Sequence, residues 1–351
     1  MVPRSEGGPG ADFAEVVSIC HALGQYCAST AMIYAMHQIQ VCCVVHHGGT
    51  SPWHNAFLER LARDQLLLAS ATSEAGVGGD TRSSICAVEE RDGRFSLVKQ
   101  ATVISYGADS DAILVTARRT PQAPASDQVL VVIPKDNATL GQEAGWDTLG
   151  MRGTCSNGYR LHAEGSMAQV LPVPYADISA HTMLPVSHLL WSALWSGIAT
   201  DAVARARAFV RAETKKKPGV AAVGGWRLAE AASLLQLMKS NVVAALRQYE
   251  AARGPGDGGS GAGGLADKLT SLPFAVAMNN LKTGSSQMAV QVINHALLVC
   301  GLAGYRNDSP YSIGRHLRDA HSAALMVNND RILANTANLL LALREDPELL
   351  A

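Results

Sequence analysis

The sequence predicts an α+β protein that runs helix, then sheet, then helix. Three observations predict it. From about Asp12 to Leu68, apolar residues recur at three-to-four spacing: Phe13, Val16, Val17, Cys20 and Leu23, then Phe57, Leu58 and Leu61. From Leu68 to about Ser179, short apolar or alternating runs are cut by Gly, Pro, Asp and Ser clusters. From Val186 onward, long helical stripes return. The expected domains are an N-terminal helical domain over 1–68, an antiparallel β-domain over 69–180 and a helical bundle over 181–351.

In the first domain, Ser29-Thr30 predicts a helix start and Gly48-Gly49 a stop. The apolar stretch Ala28 to Val45 is interrupted by His37, Gln38 and Gln40, so it reads as a buried helix and no membrane span is expected. In the β-domain, strands are expected at Ser84–Val88, Phe95–Val98, Ala101–Ser105, Ala112–Ala117 and Gln128–Ile133, with a turn at Asp92-Gly93. In the last domain, Leu189 to Ala202, Leu228 to Tyr249, Leu265 to Val299 and Leu317 to Leu343 read as helices. The glycine-rich segment Gly254 to Gly264 reads as a connector.

Composition narrows the function. The chain has 351 residues with 29 Lys+Arg against 30 Asp+Glu, which excludes a basic nucleic-acid binder. Seven cysteines without a CxxC pair exclude a zinc ribbon and a disulfide scaffold, and fit a reducing cytoplasm. Cys42 and Cys43 stand four residues before His46 and His47, a spacing that can bind metal, but no further ligand set accompanies them and no metal is expected. Gly76-Val77-Gly78-Gly79-Asp80 lacks the Gly-Lys-Ser/Thr of a phosphate loop and reads alone as a turn. No G-x-S-x-G elbow supports a serine hydrolase. His37 and His188 are candidate acid–base groups by residue type.

Four segments taken in order are more specific. They are Ala69–Asp80 (ASATSEAGVGGD), Leu149–Ser156 (LGMRGTCS), Leu297–Tyr305 (LLVCGLAGY) and His316–Ala320 (HLRDA). This ordered set resembles the acyl-CoA dehydrogenase family of flavoproteins over nearly the whole chain. The counterparts are that family's Thr-Glu-Pro-Gly-Ala-Gly-Ser-Asp, its Leu-Gly-Met-Arg strand, its Gly-Gly-x-Gly-Tyr turn and its Leu-Arg-Asp-Ala.

The resemblance implies an N-terminal helical domain, a middle β-domain and a C-terminal four-helix bundle, assembled as a homo-oligomer, dimer or tetramer. It implies FAD, an acyl-CoA or other acyl thioester as substrate, and an electron-transfer partner. A carboxylate would take the proton alpha to the carbonyl while hydride leaves the beta carbon, giving a 2-enoyl thioester. Position by position, Thr72 and Ser73 fall beside the flavin ring edge, and Gly78 and Gly79 near pyrophosphate and substrate, with Gly79 in place of a serine. Val103-Ile104-Ser105 matches the family's Trp-Ile-Thr: Ser105 keeps the hydroxyl and Val103 lacks the tryptophan shield. Lys215, Lys216 and Lys217 fall around an arginine that reaches the partner's FAD phosphates. Gly301 keeps part of the adenine-side turn, with Leu302 in place of the second glycine.

Two departures stand out. The family's catalytic glutamate position is occupied by Val327, in Val327-Asn328-Asn329, and the alternative position falls near Ser187, beside His188, a substrate-binding candidate. Asp330 is the nearest acid and the candidate base. The helices that precede Pro3 in family members are expected to be missing, giving a shortened N-terminal domain. The expectation is an acyl-CoA dehydrogenase. The alternatives are a flavin-dependent monooxygenase of the same fold, with His37 and His321 as residues of interest, or a catalytically silent subunit of a hetero-oligomer.

Overall fold

The computed structural model describes residues 1–216, 224–254 and 268–343. Lys217, 255–264 of the expected connector and the first residues of the helix expected from Leu265 lie outside the described residues. The expected helix–sheet–helix order is present. Helices α1 (Phe13–Tyr26), α2 (Ala28–His47) and α3 (Pro52–Asp64) come first. Seven strands follow among the described residues: β1 (Leu68–Ala71), β2 (Glu89–Arg91), β3 (Arg94–Ile104), β4 (Ala112–Arg118), β5 (Gln128–Pro134), β6 (Ala138–Ala144) and β7 (Asn157–Ser166). Helices α4 (Leu184–Lys216), α5 (Gly225–Arg253), α6 (Leu272–Cys300), α7 (Gly314–Ala320) and α8 (Asn329–Ala342) come after the strands.

The described chain divides into two compact units, Met1–Val17 with Ser29–Ser187, and Ser18–Ala28 with His188–Ala351. In the first, the strands form two sheets, ordered β1-β4-β5 and β2-β3-β7-β6. The expectation of a purely antiparallel β-domain is corrected at one pairing: β1 runs parallel to β4, Leu68 opposite Ala112. Alternation in sequence encodes which face a side chain takes, not strand direction, and all four residues of β1 are buried. The expected strand at Ser84–Val88 is reduced to a bridge of Ala87 with Arg118, its backbone amide at Cys86 being taken by the Glu74 carboxylate instead. Asp92 and Gly93, both at positive φ, make the two-residue β2–β3 turn.

Both sheets contribute to one core. Phe95, Leu97 and Ala101 of β3, Ile113 and Val115 of β4, Val129 and Val131 of β5, and Tyr159 and Leu161 of β7 are all buried in it. Lys99 occupies a core-facing position of β3 and is 0% exposed. It survives there because its Nζ donates to Glu74 Oε2 (3.1 Å), Thr116 O (2.8 Å) and Thr116 Oγ1 (3.2 Å). Helix α2 is long and apolar enough to cross a membrane by length and composition, but 61% of that window is buried inside the protein, as a core helix is.

In the second unit, α5 packs along α6, and α7 and α8 lie against α6. The segment 18–28 meets α4 at two glycines. A Cβ on Gly24 would stand 2.5 Å from the Leu194 carbonyl oxygen, and one on Gly197 2.3 Å from that of His21. Only glycine permits this backbone approach. Asn279 of α6 donates from Nδ2 to Thr336 Oγ1 of α8 (3.0 Å), pinning the last helix in place.

Candidate active site

In the first unit, Thr72 and Ser73 follow the end of β1, and Val103 and Ser105 flank the end of β3. Ser73 Oγ donates to the Val103 carbonyl (2.9 Å) and accepts from its amide (3.3 Å). One hydroxyl therefore grips the backbone of Val103 on both sides. The β3–β7 register slips between Ala101 and Ile104, so Val103 lies in a bulge and stands exposed. The fold thus brings Ser73 onto Val103, and no aromatic side chain occupies position 103.

Ser105 ends a directed chain of hydroxyls. Thr154 Oγ1 donates to the Met151 carbonyl (2.8 Å), so it must accept from Ser156, 2.8 Å away. Ser156 has then spent its proton, and Ser105 donates to it across 2.8 Å. Ser105 is left with lone pairs to present, an acceptor for an N–H. Around this chain the backbone is strained. Tyr106 (φ 43°), Met151 (φ 54°) and Cys155 (φ 45°) all take left-handed conformations that non-glycine residues disfavour. Tyr106 N donates to Thr154 O (2.8 Å), which ties the Leu149–Ser156 segment to the strand end.

Gly78 (φ 59°) and Gly79 (φ 79°) make a left-handed turn, closed by Asp80 N on Val77 O (3.1 Å). Successive amides in such a turn form a concavity suited to an anion. Glu74 at the root of this segment is held by Ser84, Cys86 N and Lys99. An acceptor hydroxyl, an open strand bulge and a left-handed glycine turn fit the ring edge and phosphates of a flavin.

In the second unit, the segment before α8 is organised by a buried lysine that sequence reasoning missed. Lys282, 0% exposed in α6, donates from Nζ to the Val327 carbonyl (2.7 Å) and to Asn329 Oδ1 (2.6 Å). Its ammonium also lies 5.8 Å from the centre of the Trp195 ring. Burial pulls its pKa down to about 8. Asn329 Nδ2 donates in turn to Ser286 Oγ (2.9 Å). Val327 is held at φ 49°, a strained value for a β-branched residue. Asn328 caps α8 by accepting from Asp330 N (2.7 Å), which leaves the exposed Asp330 carboxylate in the first turn. The signal that could have revealed Lys282 is its spacing: it shares a buried face of α6 with Met278, Leu281 and Ser285.

The other expected residues are placed as follows. Lys215 is exposed in the last turn of α4, where Lys216 pairs with Glu213 (2.7 Å). Gly301 caps α6 at φ 56°, ψ −134°, a conformation open to glycine alone. His188 is buried, its Nδ1 on the Met278 carbonyl (2.9 Å), and burial lowers its pKa to about 4, so the ring is neutral. Its donating nitrogen is committed to the fold. His37 accepts from Leu68 N (3.1 Å) and is likewise lowered to about 4 by burial. That ring joins α2 to β1 through an acceptor bond, while His321 is exposed. Ser187 donates back to the Met183 carbonyl. His46 and His47 both meet Thr182, Cys42 and Cys43 are buried, and no group of three or more ligands able to hold a metal occurs among the described residues.

Comparison with known proteins finds similar chains that share one fold. Residues 1–65 match the family described as acyl-CoA dehydrogenase, N-terminal domain. Cyclohex-1-ene-1-carbonyl-CoA dehydrogenase of Syntrophus aciditrophicus is 22% identical over 346 residues, covering 95% of this chain and 76% of its own. The Geobacter metallireducens protein of that name is 25% identical over 158 residues; the match spans 45% of this chain and 41% of the relative's length. Among solved structures, an acyl-CoA dehydrogenase from Geobacillus kaustophilus aligns at TM-score 0.77 with 21% identity, over 96% of this chain and 85% of its own. FMN-bound TdsC from Paenibacillus sp. A11-2, a dibenzothiophene monooxygenase, aligns at TM-score 0.78 with 18% identity, over 99% and 89%. The fold is that of the acyl-CoA dehydrogenases, and the resemblance carried by the four motifs is borne out.

Proposed function

Starting from the acyl-CoA dehydrogenase fold, we propose that the chain is a flavin-dependent oxidoreductase that converts an acyl thioester, acyl-CoA or a related carrier ester, to its 2-enoyl form. The observation that carries this reading is where the strain sits. Of the six non-glycine residues at positive φ among the described residues, Tyr106, Met151 and Cys155 surround the Ser105 hydroxyl chain, and Val327 is the position that the resemblance gives to the family's base. Backbone strain clusters at working sites, and here it falls around Ser105, which the resemblance assigns to the flavin, and at Val327, the family's base position.

FAD, when bound, supplies the hydride acceptor. The chain's own residues bind and orient it. Ser105, its proton spent on Ser156, accepts from a ring N–H; Ser73 fixes the bulge at Val103; Thr72 stands beside the same edge. Gly78 and Gly79 offer backbone amides to phosphate, and Gly79 leaves the substrate side open where a serine would stand. Lys215 and Gly301 serve the phosphate and adenine end, and His188 bounds the acyl pocket as a neutral ring. Asp330 takes the alpha proton, and Lys282 holds the turn before it. Leu298, Leu302 and Tyr305, exposed at and beyond the end of α6, supply an apolar surface for a second copy, consistent with a homo-oligomer. Turnover would need a separate electron-transfer partner to take up the two electrons removed from the thioester.

One observation favours a second reading. Neither Val327 nor Ser187 is an acid, and a monooxygenase of this fold has no need of an alpha-proton base, as the likeness to TdsC makes concrete. The two readings separate in one cuvette. Anaerobic addition of an acyl-CoA to the purified flavoprotein bleaches the long-wavelength flavin band if the chain is a dehydrogenase. No bleaching, together with oxygen uptake on supplying reduced flavin, identifies the monooxygenase and overturns the first reading.

A further inference from the structure

A cavity of about 340 Å³ in the second unit is lined by Arg205, Asn307, Ser309, Ser312, Arg315, His316 and Arg318. The carboxylate that meets its lining residues Arg205 and His316, Asp201, is already neutralised. Asp201 Oδ2 accepts from Arg205 Nε (2.8 Å) and from His316 Nε2 (2.6 Å). Burial works against ionisation of that carboxyl, yet the bonds from His316 and Arg205 hold its pKa below the usual range. Arg205 also donates from Nη1 to the carbonyls of Pro310 (3.1 Å) and Ser312 (3.5 Å), which fixes the loop that carries both serines.

What is left over is cationic and donor-rich. Arg315 and Arg318 make no ion pair or hydrogen bond among the described residues. Asp308, the acid of this loop, is taken by Arg306, at 2.6 Å. Gly314 keeps the floor open: a Cβ there would meet Asn307 Oδ1 at 3.3 Å and Arg318 Nη1 at 3.4 Å. Ser309 Oγ accepts from Tyr311 N (3.1 Å), so its proton is still available. The second observation is His316. Its side chain is 3% exposed, and Nδ1 is buried with no partner. Because Nε2 donates to Asp201, Nδ1 is the ring nitrogen left to meet a ligand oxygen.

We propose that this cleft binds a diphosphate group, free or as part of a nucleotide. Two unpaired guanidiniums supply planar forks that match phosphate oxygens bidentately. The volume exceeds what one phosphate needs and suits a linked pair. The proposal uses neither the hydroxyl chain at Ser105 nor the turn at Val327, so it stands or falls independently of the thioester reading.

Isothermal titration of the purified protein with inorganic phosphate, pyrophosphate and ADP tests it. Three proteins are compared: wild type, Arg315→Gln/Arg318→Gln, and Arg94→Gln as a control on an exposed arginine of the first unit. Both target arginines are exposed, so the double variant should fold. The expected result is saturable pyrophosphate binding at one site per chain, weakened by salt and at least about tenfold weaker in the double variant, with the control unchanged. ADP binding more tightly than pyrophosphate assigns the group to a nucleotide; equal affinity assigns it to the free anion. Absence of saturable binding in the wild type, or equal affinity in wild type and double variant, overturns the proposal.

Discussion

Replacing Lys282 by methionine separates two contributions that the wild type combines. The lysine donates to Val327 O and Asn329 Oδ1, and losing those donors leaves two acceptors unpaired at about 1–3 kcal/mol each. The same substitution removes a buried charge. Its pKa is about 8 folded against 10.5 in the unfolded chain, so holding it charged costs about 3 kcal/mol at neutral pH. The two effects are similar in size and nearly cancel near pH 7, so the sign of the change there is uninformative. The pH dependence is not. Between about pH 8 and pH 10.5 the unfolded chain carries a proton that the folded chain has released. Wild-type stability therefore rises with pH across that window, and the methionine variant lacks this contribution. Integrated from about pH 7 to pH 10, wild type gains about 2.5 kcal/mol relative to the variant. Urea unfolding of both proteins at the two pH values measures it, since the remaining lysines titrate alike in each. A stability difference that does not change with pH would refute the reasoning, and with it the assignment of Lys282 as the buried cation that holds the Val327 turn.

Lys99→Met strands the Glu74 carboxylate in the core of the first unit and should cost about 3–5 kcal/mol, read as a lower melting temperature that Lys99→Met/Glu74→Gln largely restores. Burial opposes ionisation of Glu74, but Lys99 and the bonds from Ser84 and Cys86 outweigh it and lower its pKa. The stability that this group contributes is thus present above the ordinary glutamate range and is lost as pH falls through the lower folded value; acid unfolding of wild type against the double variant shows the difference. Ser105→Ala removes the acceptor at the end of the hydroxyl chain and should weaken flavin retention by about five- to tenfold, one hydrogen bond's worth, measured as flavin per chain after dialysis. Asp330→Asn should slow thioester-dependent flavin reduction by about 10²–10⁴-fold, the usual contribution of a positioned general base; an unchanged rate in stopped flow removes Asp330 from the reaction.

Much of the fold could be read because helical stripes and turn clusters are local signals. The Asp92-Gly93 hairpin and the end of α2 before Gly48-Gly49 follow from residues adjacent in sequence. Strand direction does not, which is why the parallel pairing of β1 with β4 was not foreseen. Strand β7 was legible and missed: Tyr159, Leu161 and Ala163 are buried while Arg160, His162 and Glu164 alternate with them. At the site, the motifs identified Ser73, Val103 and Ser105, but the direction of the hydroxyl chain depends on Thr154 and Ser156, some fifty residues away from Ser105. Lys282 and Val327 are separated by forty-five residues, and Arg205 comes together with Arg315 only through tertiary packing. Residue type and spacing name the candidates; the hydrogen bonds that decide what each can donate or accept are made by partners distant in the chain.

The most direct measurement is the visible spectrum of the purified protein, recorded anaerobically before and during addition of acyl-CoA thioesters of increasing chain length. A thioester dehydrogenase shows bound oxidised flavin at the start and loses its long-wavelength band stoichiometrically with one of the thioesters. Flavin bound at the start and unbleached by every thioester would contradict the proposed reaction.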